Sequence, residues 1–148
     1  MNNSPENNLG FIDTKPNNLS ENTMIDVLQE KNIDEISTKY VLIKHDYYST
    51  DSNFGRQLLK TYLSCLCNSY YNSLFIYLVD KGTRLLDKTN PLYDDLLNLS
   101  RKCEIIMADQ DSINEYGVNV SLDSEIPYQT TSSIAEDIIY LSDLLILE

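Results

Sequence analysis

The chain has 148 residues, the size of one ordinary domain, and 42% of them are hydrophobic, which is enough for a buried core. Its formal net charge of -12 disfavours nucleic acid and anionic membrane surfaces, since both are recognised through Lys and Arg. The sequence contains no apolar run of about 18 residues, the length that a membrane-spanning helix requires.

The amino-terminal part of the sequence is predicted to lie outside the folded domain. Residues 1–22 are rich in Asn, include Pro5, Pro16 and Gly10, and are predicted to form a flexible arm because they carry few apolar side chains. Residues 23–39 are predicted to form a short helix or linker. The sequence starts with neither a basic cluster nor an apolar stretch, so we expect no secretory signal and a cytoplasmic location.

From residue 40 onward, strand-like and helix-like patterns alternate. The apolar run at 40–45 predicts the first strand. Apolar residues recur at helical spacing from Phe54 to Tyr70, and Ser52 or Asn53 can cap that helix. The run at 73–79 is nearly all apolar, which predicts a strand that is covered on both faces.

The middle of the sequence continues the alternation. A short strand is predicted at 83–86, and Asn90 followed by Pro91 predicts the start of a helix. A third main strand is predicted at 104–108. A short helix is predicted at 112–116 and should end at Gly117, since glycine readily adopts positive φ.

The last part of the sequence predicts one more helix and one more strand. Residues 118–122 are predicted to be extended and residues 123–131 to form a loop. Ser133 and Glu136 have the spacing of a capping box, and the apolar run at 144–147 predicts a final buried strand. The order of elements predicts an α/β fold, with three layers (α/β/α) and a mostly parallel sheet of about five strands.

Polar residues follow each predicted strand, at the sheet edge where α/β proteins bind ligands. His45 and Asp46 follow the first strand, Asp80 the second and Asp109 the third. Carboxylates with an imidazole could hold a divalent cation, but these acids could equally be ordinary loop residues of an acidic chain. The metal is therefore unknown. Basic residues near the same edge could bind an anion or be surface charges: Arg56, Lys60, Lys81 and Arg84.

The start of the third helix allows two interpretations. Asp109, Asp111 and Ser112 could cap its free amide groups, or they could line a ligand pocket that includes Tyr116. The candidate pocket consists of His45, Asp46, Asp80, Asp109, Asp111, Ser112 and Tyr116. With only 4 glycines, the sequence contains no nucleotide-binding Gly-rich loop, so no cofactor is predicted.

Several sequence motifs together resemble one family. They are Phe54–Lys60, Leu74–Tyr77 with Lys81–Leu85, Leu96–Leu99 with Cys103–Ile106, Ser112–Val118, and Thr130–Leu147. In this order they resemble the DsrE-like family of sulfur-relay proteins, and most closely its YedF branch, which is associated with selenium and sulfur metabolism. The resemblance covers residues 40–148 and implies the DsrE-like fold.

The resemblance also indicates which chemistry to expect. It places the family's reactive cysteine at Asp109 and a second cysteine at Ser112, so the family's sulfur transfer is not expected here. The resemblance thus implies a non-catalytic binding or assembly component that forms a homo-oligomer (dimer, trimer or hexamer) and that could bind a protein partner. The alternative is an enzyme or carrier that uses either a metal at Asp46, Asp80 and Asp109 or a remaining thiol.

Overall fold

A computed structural model describes residues 38–122 and 127–148, which form one parallel sheet and the helices that cover it. The strands are β1 (Thr38–Ile43), β2 (Ser73–Leu78), β3 (Ile105–Asp109), β4 (Tyr128–Gln129) and β5 (Leu144–Leu147). The α-helices are α1 (Asn53–Cys67), α2 (Tyr93–Ser100), α3 (Gln110–Tyr116) and α4 (Thr131–Ile139). The predicted arm and linker lie outside the described residues, except for residues 38 and 39, which belong to β1.

The strand order across the sheet is β4-β3-β2-β1-β5, and every neighbouring pair is parallel. Connections between parallel strands are right-handed. The three steps from β1 to β4 run in one direction and therefore place α1, α2 and α3 on one face. The step from β4 to β5 runs back across the sheet and places α4 on the other face. The predicted three-layer α/β fold is confirmed, with all five strands parallel.

The main core lies between the sheet and the layer of α1 and α2. Along β2 the side chains alternate, so Leu74, Ile76 and Leu78 are buried while Phe75 and Tyr77 on the opposite face stay partly exposed. Burying each such Leu or Ile stabilises the fold by about 1.5–3 kcal/mol. The helices contribute Leu59, Leu63, Leu66, Leu96 and Leu99 to this core. The prediction that β2 is covered on both faces holds fully for one face only, since the second face stays partly exposed.

A 3-10 helix spans Asp80–Leu86, where a short strand was predicted at residues 83–86. Asp80 adopts a φ of 49°, which turns the chain sharply after β2. The Thr83 hydroxyl then donates to the Asp80 carbonyl at 2.7 Å, and the Gly82 amide donates to the Val79 carbonyl at 2.9 Å. The apolar pattern arose because Leu85 and the residue after it are buried, which a tight helix achieves as well as a strand.

The helix ends follow the predicted capping chemistry in part. Ser52 caps α1 by accepting from the Gly55 amide at 3.0 Å, and Gly117 ends α3 with a φ of 60°, as predicted. The predicted capping box at Ser133 is wrong. The cap of α4 is Thr130, whose hydroxyl accepts from the Ser133 amide at 3.3 Å, so the helix starts earlier. The helix predicted to start at Asn90 begins at Tyr93.

The two edge strands differ most from expectation. β4 has only two residues and lies inside the predicted loop at 123–131. β5 has the predicted position but is not fully buried, since Ile146 is 46% exposed. An edge strand with a single neighbour is covered less than a central one.

In residues 38–122 and 127–148, no helix combines the length and the apolar character that crossing a membrane requires.

A close backbone approach beneath the carboxyl edge of the sheet occurs at Gly82. A Cβ atom there would lie 2.2 Å from the Ile43 carbonyl oxygen. We therefore expect Gly82→Ala to lower the free energy of unfolding by about 3 kcal/mol. Gly117→Ala is the control: its Cβ would meet no atom within 4 Å, so only its positive φ should cost about 1 kcal/mol. Denaturant unfolding measures both, and a Gly82→Ala cost no larger than the control would contradict the close approach.

Candidate functional site

The Asp109 carboxylate ends β3 and is saturated with hydrogen bonds from the protein. Its side chain is almost fully buried, at 2% exposure. It accepts from the Asp111 amide at 3.1 Å, from the Ser112 hydroxyl, and from the Thr131 hydroxyl at 2.9 Å. Asp109 is the N-cap of α3, because its own backbone is extended while its side chain satisfies a first-turn amide. The capping interpretation of this position therefore agrees with the geometry.

The hydrogen bonds continue from Asp109 to the neighbouring loops. The Ser112 hydroxyl, which donates to Asp109, accepts from the Asp80 amide at 2.9 Å. On the other side, the Thr131 amide donates to the Asp111 carboxylate at 3.0 Å. One continuous network thus joins the segments that follow β2, β3 and β4.

Asp80 connects two more candidate residues to this network. The Tyr116 hydroxyl donates to the Asp80 carboxylate, and this hydrogen bond raises the pKa of Tyr116 above its ordinary value. His45 Nδ1 lies 3.7 Å from the other Asp80 oxygen, which is too long for a hydrogen bond, and the imidazole stacks on Tyr47 with ring centroids 4.9 Å apart. Six of the seven candidate residues are therefore brought together, directly or through Asp80.

Asp46, the seventh candidate, lies apart from this network and faces a cleft. Its carboxylate is 7% exposed and accepts from the Asn90 side-chain amide at 3.0 Å. The cleft has a volume of about 300 Å³ and lies at the carboxyl edge of the sheet. Its lining comprises Asp46, Arg56, Arg84, Asp87, Thr89, Asn90, Pro91, Tyr116, Gly117 and Val118. A cleft at this edge is the usual ligand position in an open α/β sheet.

One carboxylate that lines the cleft, that of Asp87, has a lowered pKa. Asp87 accepts from the Thr89 amide at 2.9 Å, from the Thr89 hydroxyl at 2.8 Å and from the Asn119 amide at 3.3 Å. The hydrogen bonds from Thr89 hold the pKa of Asp87 below its ordinary value. Asp87 is therefore a charged, well-partnered acid that closes the loop at residues 87–90.

The arrangement of acids does not match the metal site considered as an alternative. Among residues 38–122 and 127–148, no three His, Cys, Asp or Glu side chains are placed so that they could hold one metal ion. The Asp109 oxygens accept the hydrogen bonds that cap α3, and the Asp46 carboxylate points to the cleft and not to Asp80. Within the described residues, the geometry therefore does not support the alternative in which Asp46, Asp80 and Asp109 converge on a cation.

The three thiols lie away from the carboxyl edge. Cys103 precedes β3 and its thiol donates to the Leu99 carbonyl at 3.1 Å. Burial raises the pKa of Cys103 to about 12. Cys67 ends α1, which runs from the carboxyl edge to the amino edge, and Cys65 is exposed on the same helix.

Some residues of the site were not predicted from the sequence. Thr131, which binds Asp109 from 22 positions away, and Asp87 and Asn90 of the cleft were not identified as site residues. Asp87 was the most recognisable of these, since Asp followed by a hydroxyl residue two positions later is typical of a local side-chain turn. The role of Thr131 depends on where β4 ends, which no local pattern indicates.

The hydrogen bonds at Asp87 imply a pH dependence. Because the folded-state pKa lies below the unfolded-state value, the charged carboxylate stabilises the fold above about pH 4, and this contribution disappears as pH falls through the lower folded-state value. We expect Asp87→Asn to lower the Tm at pH 7 and the difference from wild type to narrow as pH decreases from about 5 to about 3.

The matched control is Asp94→Asn, which removes the same charge from an exposed position in the first turn of α2. Differential scanning calorimetry across the pH range measures both variants. A Tm difference for Asp87→Asn that is the same at every pH, or no larger than that of the control at pH 7, would contradict the role assigned to the carboxylate.

Known proteins resemble this chain in structure and not detectably in sequence. No protein-family model matches the chain, and no curated protein matches it. The conserved protein of unknown function BT1422 from Bacteroides thetaiotaomicron superimposes with a TM-score of 0.53 and 16% identity, over 74% of this chain and 94% of that chain. The YchN protein from E. coli gives a TM-score of 0.47 and 15% identity, over 74% and 99%. The chain therefore shares the fold of BT1422.

Proposed function

We propose that this chain is a non-catalytic DsrE-like protein that binds a small ligand and that functions in sulfur or selenium handling, as in the YedF branch. The shared fold with BT1422 and the order of motifs from Phe54 to Leu147 support the placement among DsrE-like proteins. The role in sulfur or selenium handling comes from the resemblance alone. The non-catalytic character follows from the chemistry of the strand edge.

One observation carries the proposal: the residue where the resemblance places the reactive cysteine is a buried, hydrogen-bonded aspartate. Sulfane-sulfur transfer requires a thiolate that can attack, accept and release sulfur. Asp109 has no sulfur, and its oxygens already accept from three donor groups of the protein. The second cysteine position is Ser112, whose hydroxyl both donates and accepts within the same network.

None of the thiols can replace the missing one at that edge. The extended chain from Cys103 to Asp109 spans about 20 Å, so the Cys103 thiol lies at the opposite edge of the sheet. A pKa of about 12 keeps it protonated at neutral pH. The chain therefore combines a ligand-sized cleft with no reactive thiol beside it, which favours binding over transfer.

The proposal includes a homo-oligomer in the cytoplasm. All three cysteines are free thiols, as in proteins of a reducing compartment.

Large apolar side chains are exposed on the described surface, including Phe54 at 69% and Ile139 at 74%, and such residues are enriched where subunits meet. Light scattering at several protein concentrations tests the assembly, and a monomer at every concentration would remove the oligomer from the proposal.

The test of the non-catalytic role is sulfane-sulfur loading. We expect incubation of the reduced protein with thiosulfate to leave its intact mass unchanged, because no thiolate is activated at the strand edge. Iodoacetamide labelling at pH 8 serves as the control for thiol state. Cys65 should be labelled and Cys103 should not, since only Cys65 is exposed and the Cys103 thiol is protonated.

A mass gain of one sulfur atom on any of the three cysteines would contradict the proposal. An adduct that disappears in Cys65→Ser would identify Cys65 as the carrier and would favour the alternative of a remaining thiol. A labelled Cys65 together with an unchanged thiosulfate-treated mass is the result that the proposal requires.

A further inference from the structure

We propose that the cleft at the carboxyl edge binds a small molecule through an oxyanion group, a phosphate, carboxylate or sulfur oxyanion, held by Arg84 and Arg56. This inference deepens the proposed binding role and rests on it. It depends on which hydrogen-bonding groups of the cleft are already used and which remain available.

The Arg84 side chain is held by a contact with Tyr116, but the described residues provide no acid that neutralises its charge. Its guanidinium carbon lies over the Tyr116 ring, 4.8 Å from the centroid, and this cation–π contact holds the side chain against the ring. Within residues 38–122 and 127–148, no carboxylate forms an ion pair with Arg84, and no protein acceptor lies within hydrogen-bond distance of its guanidinium. A guanidinium with unused N–H donors matches a carboxylate or phosphate, which accepts two parallel hydrogen bonds.

Both acids that line the same cleft already accept hydrogen bonds from the protein. Asp87 accepts three hydrogen bonds from the backbone and side chain of Thr89 and from the Asn119 amide. Asp46 is 7% exposed and accepts from Asn90. The Tyr116 hydroxyl is also used, because it donates to Asp80. What remains unused in the cleft is mainly donor capacity, so the complementary ligand group is an acceptor with negative charge.

Arg56 extends the basic lining into a second cleft. This neighbour has a volume of about 340 Å³, shares Arg56 and Pro91 with the first cleft, and contains no acid in its lining, which consists of Asn53, Arg56, Gln57, Lys60, Pro91 and Leu92. Arg56 pairs with Asp51 at 2.6 Å, but that pair is exposed and contributes little to stability, so a ligand can compete for the guanidinium. Lys60 lies one turn further along α1 and adds a second positive charge to this part.

The acidity of the whole chain does not prevent such binding. The net charge of -12 repels anions at long range, but charges separated by more than about 8 Å are largely screened at physiological ionic strength. The charged residues that line the cleft are two arginines and two acids that already accept hydrogen bonds, and the carboxylates of Asp51 and Asp80 lie behind this lining, on Arg56 and Tyr116. Recognition is therefore local, and a ligand that also contacts the second cleft gains Lys60.

The experiment is a titration of 15N-labelled protein with inorganic phosphate and with sulfate, at constant ionic strength set by NaCl and observed by two-dimensional NMR. We expect saturable shifts of the backbone amides of Gly117, Val118 and Asn90, which line the cleft. Arg84→Gln should weaken the apparent Kd at least about tenfold, because a charge-assisted bidentate contact is lost. Arg84→Lys should weaken it less, since the charge remains while the planar fork is lost.

Arg101→Gln is the matched control, since Arg101 carries the same charge but is exposed at the end of α2, away from the cleft. Equal weakening by Arg84→Gln and Arg101→Gln would overturn the site, as would shifts that never saturate or that map elsewhere. If Arg84→Gln does not fold, Arg84→Lys decides between these outcomes. If the cleft binds phosphate and the protein also acquires sulfur from thiosulfate, this inference stands and the non-catalytic role is rejected. If the protein stays unmodified but does not bind phosphate, the non-catalytic role stands and this inference is rejected.

Discussion

The carboxylate of Asp109 determines how the functional edge of this protein is built. It lies at the end of the third parallel strand, where a helix begins and where the chain returns from β4. Buried carboxylates are costly unless they accept hydrogen bonds, and here the donors come from α3 and from α4. The same bonds fix Ser112, which in turn holds the Asp80 amide. The loops after three strands are therefore positioned by one side chain.

This arrangement is the basis of the proposed binding role. Asp80 and Tyr116 are held by the network, and Tyr116 supports Arg84 from below its guanidinium. These contacts hold the wall of the cleft in place. Side chains that are already ordered lose less conformational entropy when a ligand binds. A side chain that organises the site in this way is not available as a nucleophile or as a metal ligand. Asp109, at the position where the resemblance places a reactive cysteine, therefore has a structural role in this chain.

The sequence predicts the sheet well because its signal is local. The apolar runs of β1, β2 and β3 and the αL glycine at Gly117 depend on neighbouring residues only. β4 has two residues and no apolar run, so its place and the contact of Thr131 with Asp109 depend on long-range pairing. The 3-10 helix at Asp80–Leu86 was misassigned because buried leucines fit either structure. Four of the seven candidate residues were chosen because they follow predicted strands and three because they belong to the helix after the third strand. Partners from other segments, such as Thr131 and Asn90, were not predicted.

A double-mutant cycle between Asp109 and Thr131 tests the central claim most directly. Free energies of unfolding are measured by denaturant titration for Asp109→Ala, Thr131→Val and the double variant. If the buried hydrogen bond joins β3 to α4, the coupling energy should be about 1 kcal/mol or more, since each single variant leaves the other group without its partner. A coupling energy below about 0.3 kcal/mol, with additive single effects, would contradict the account.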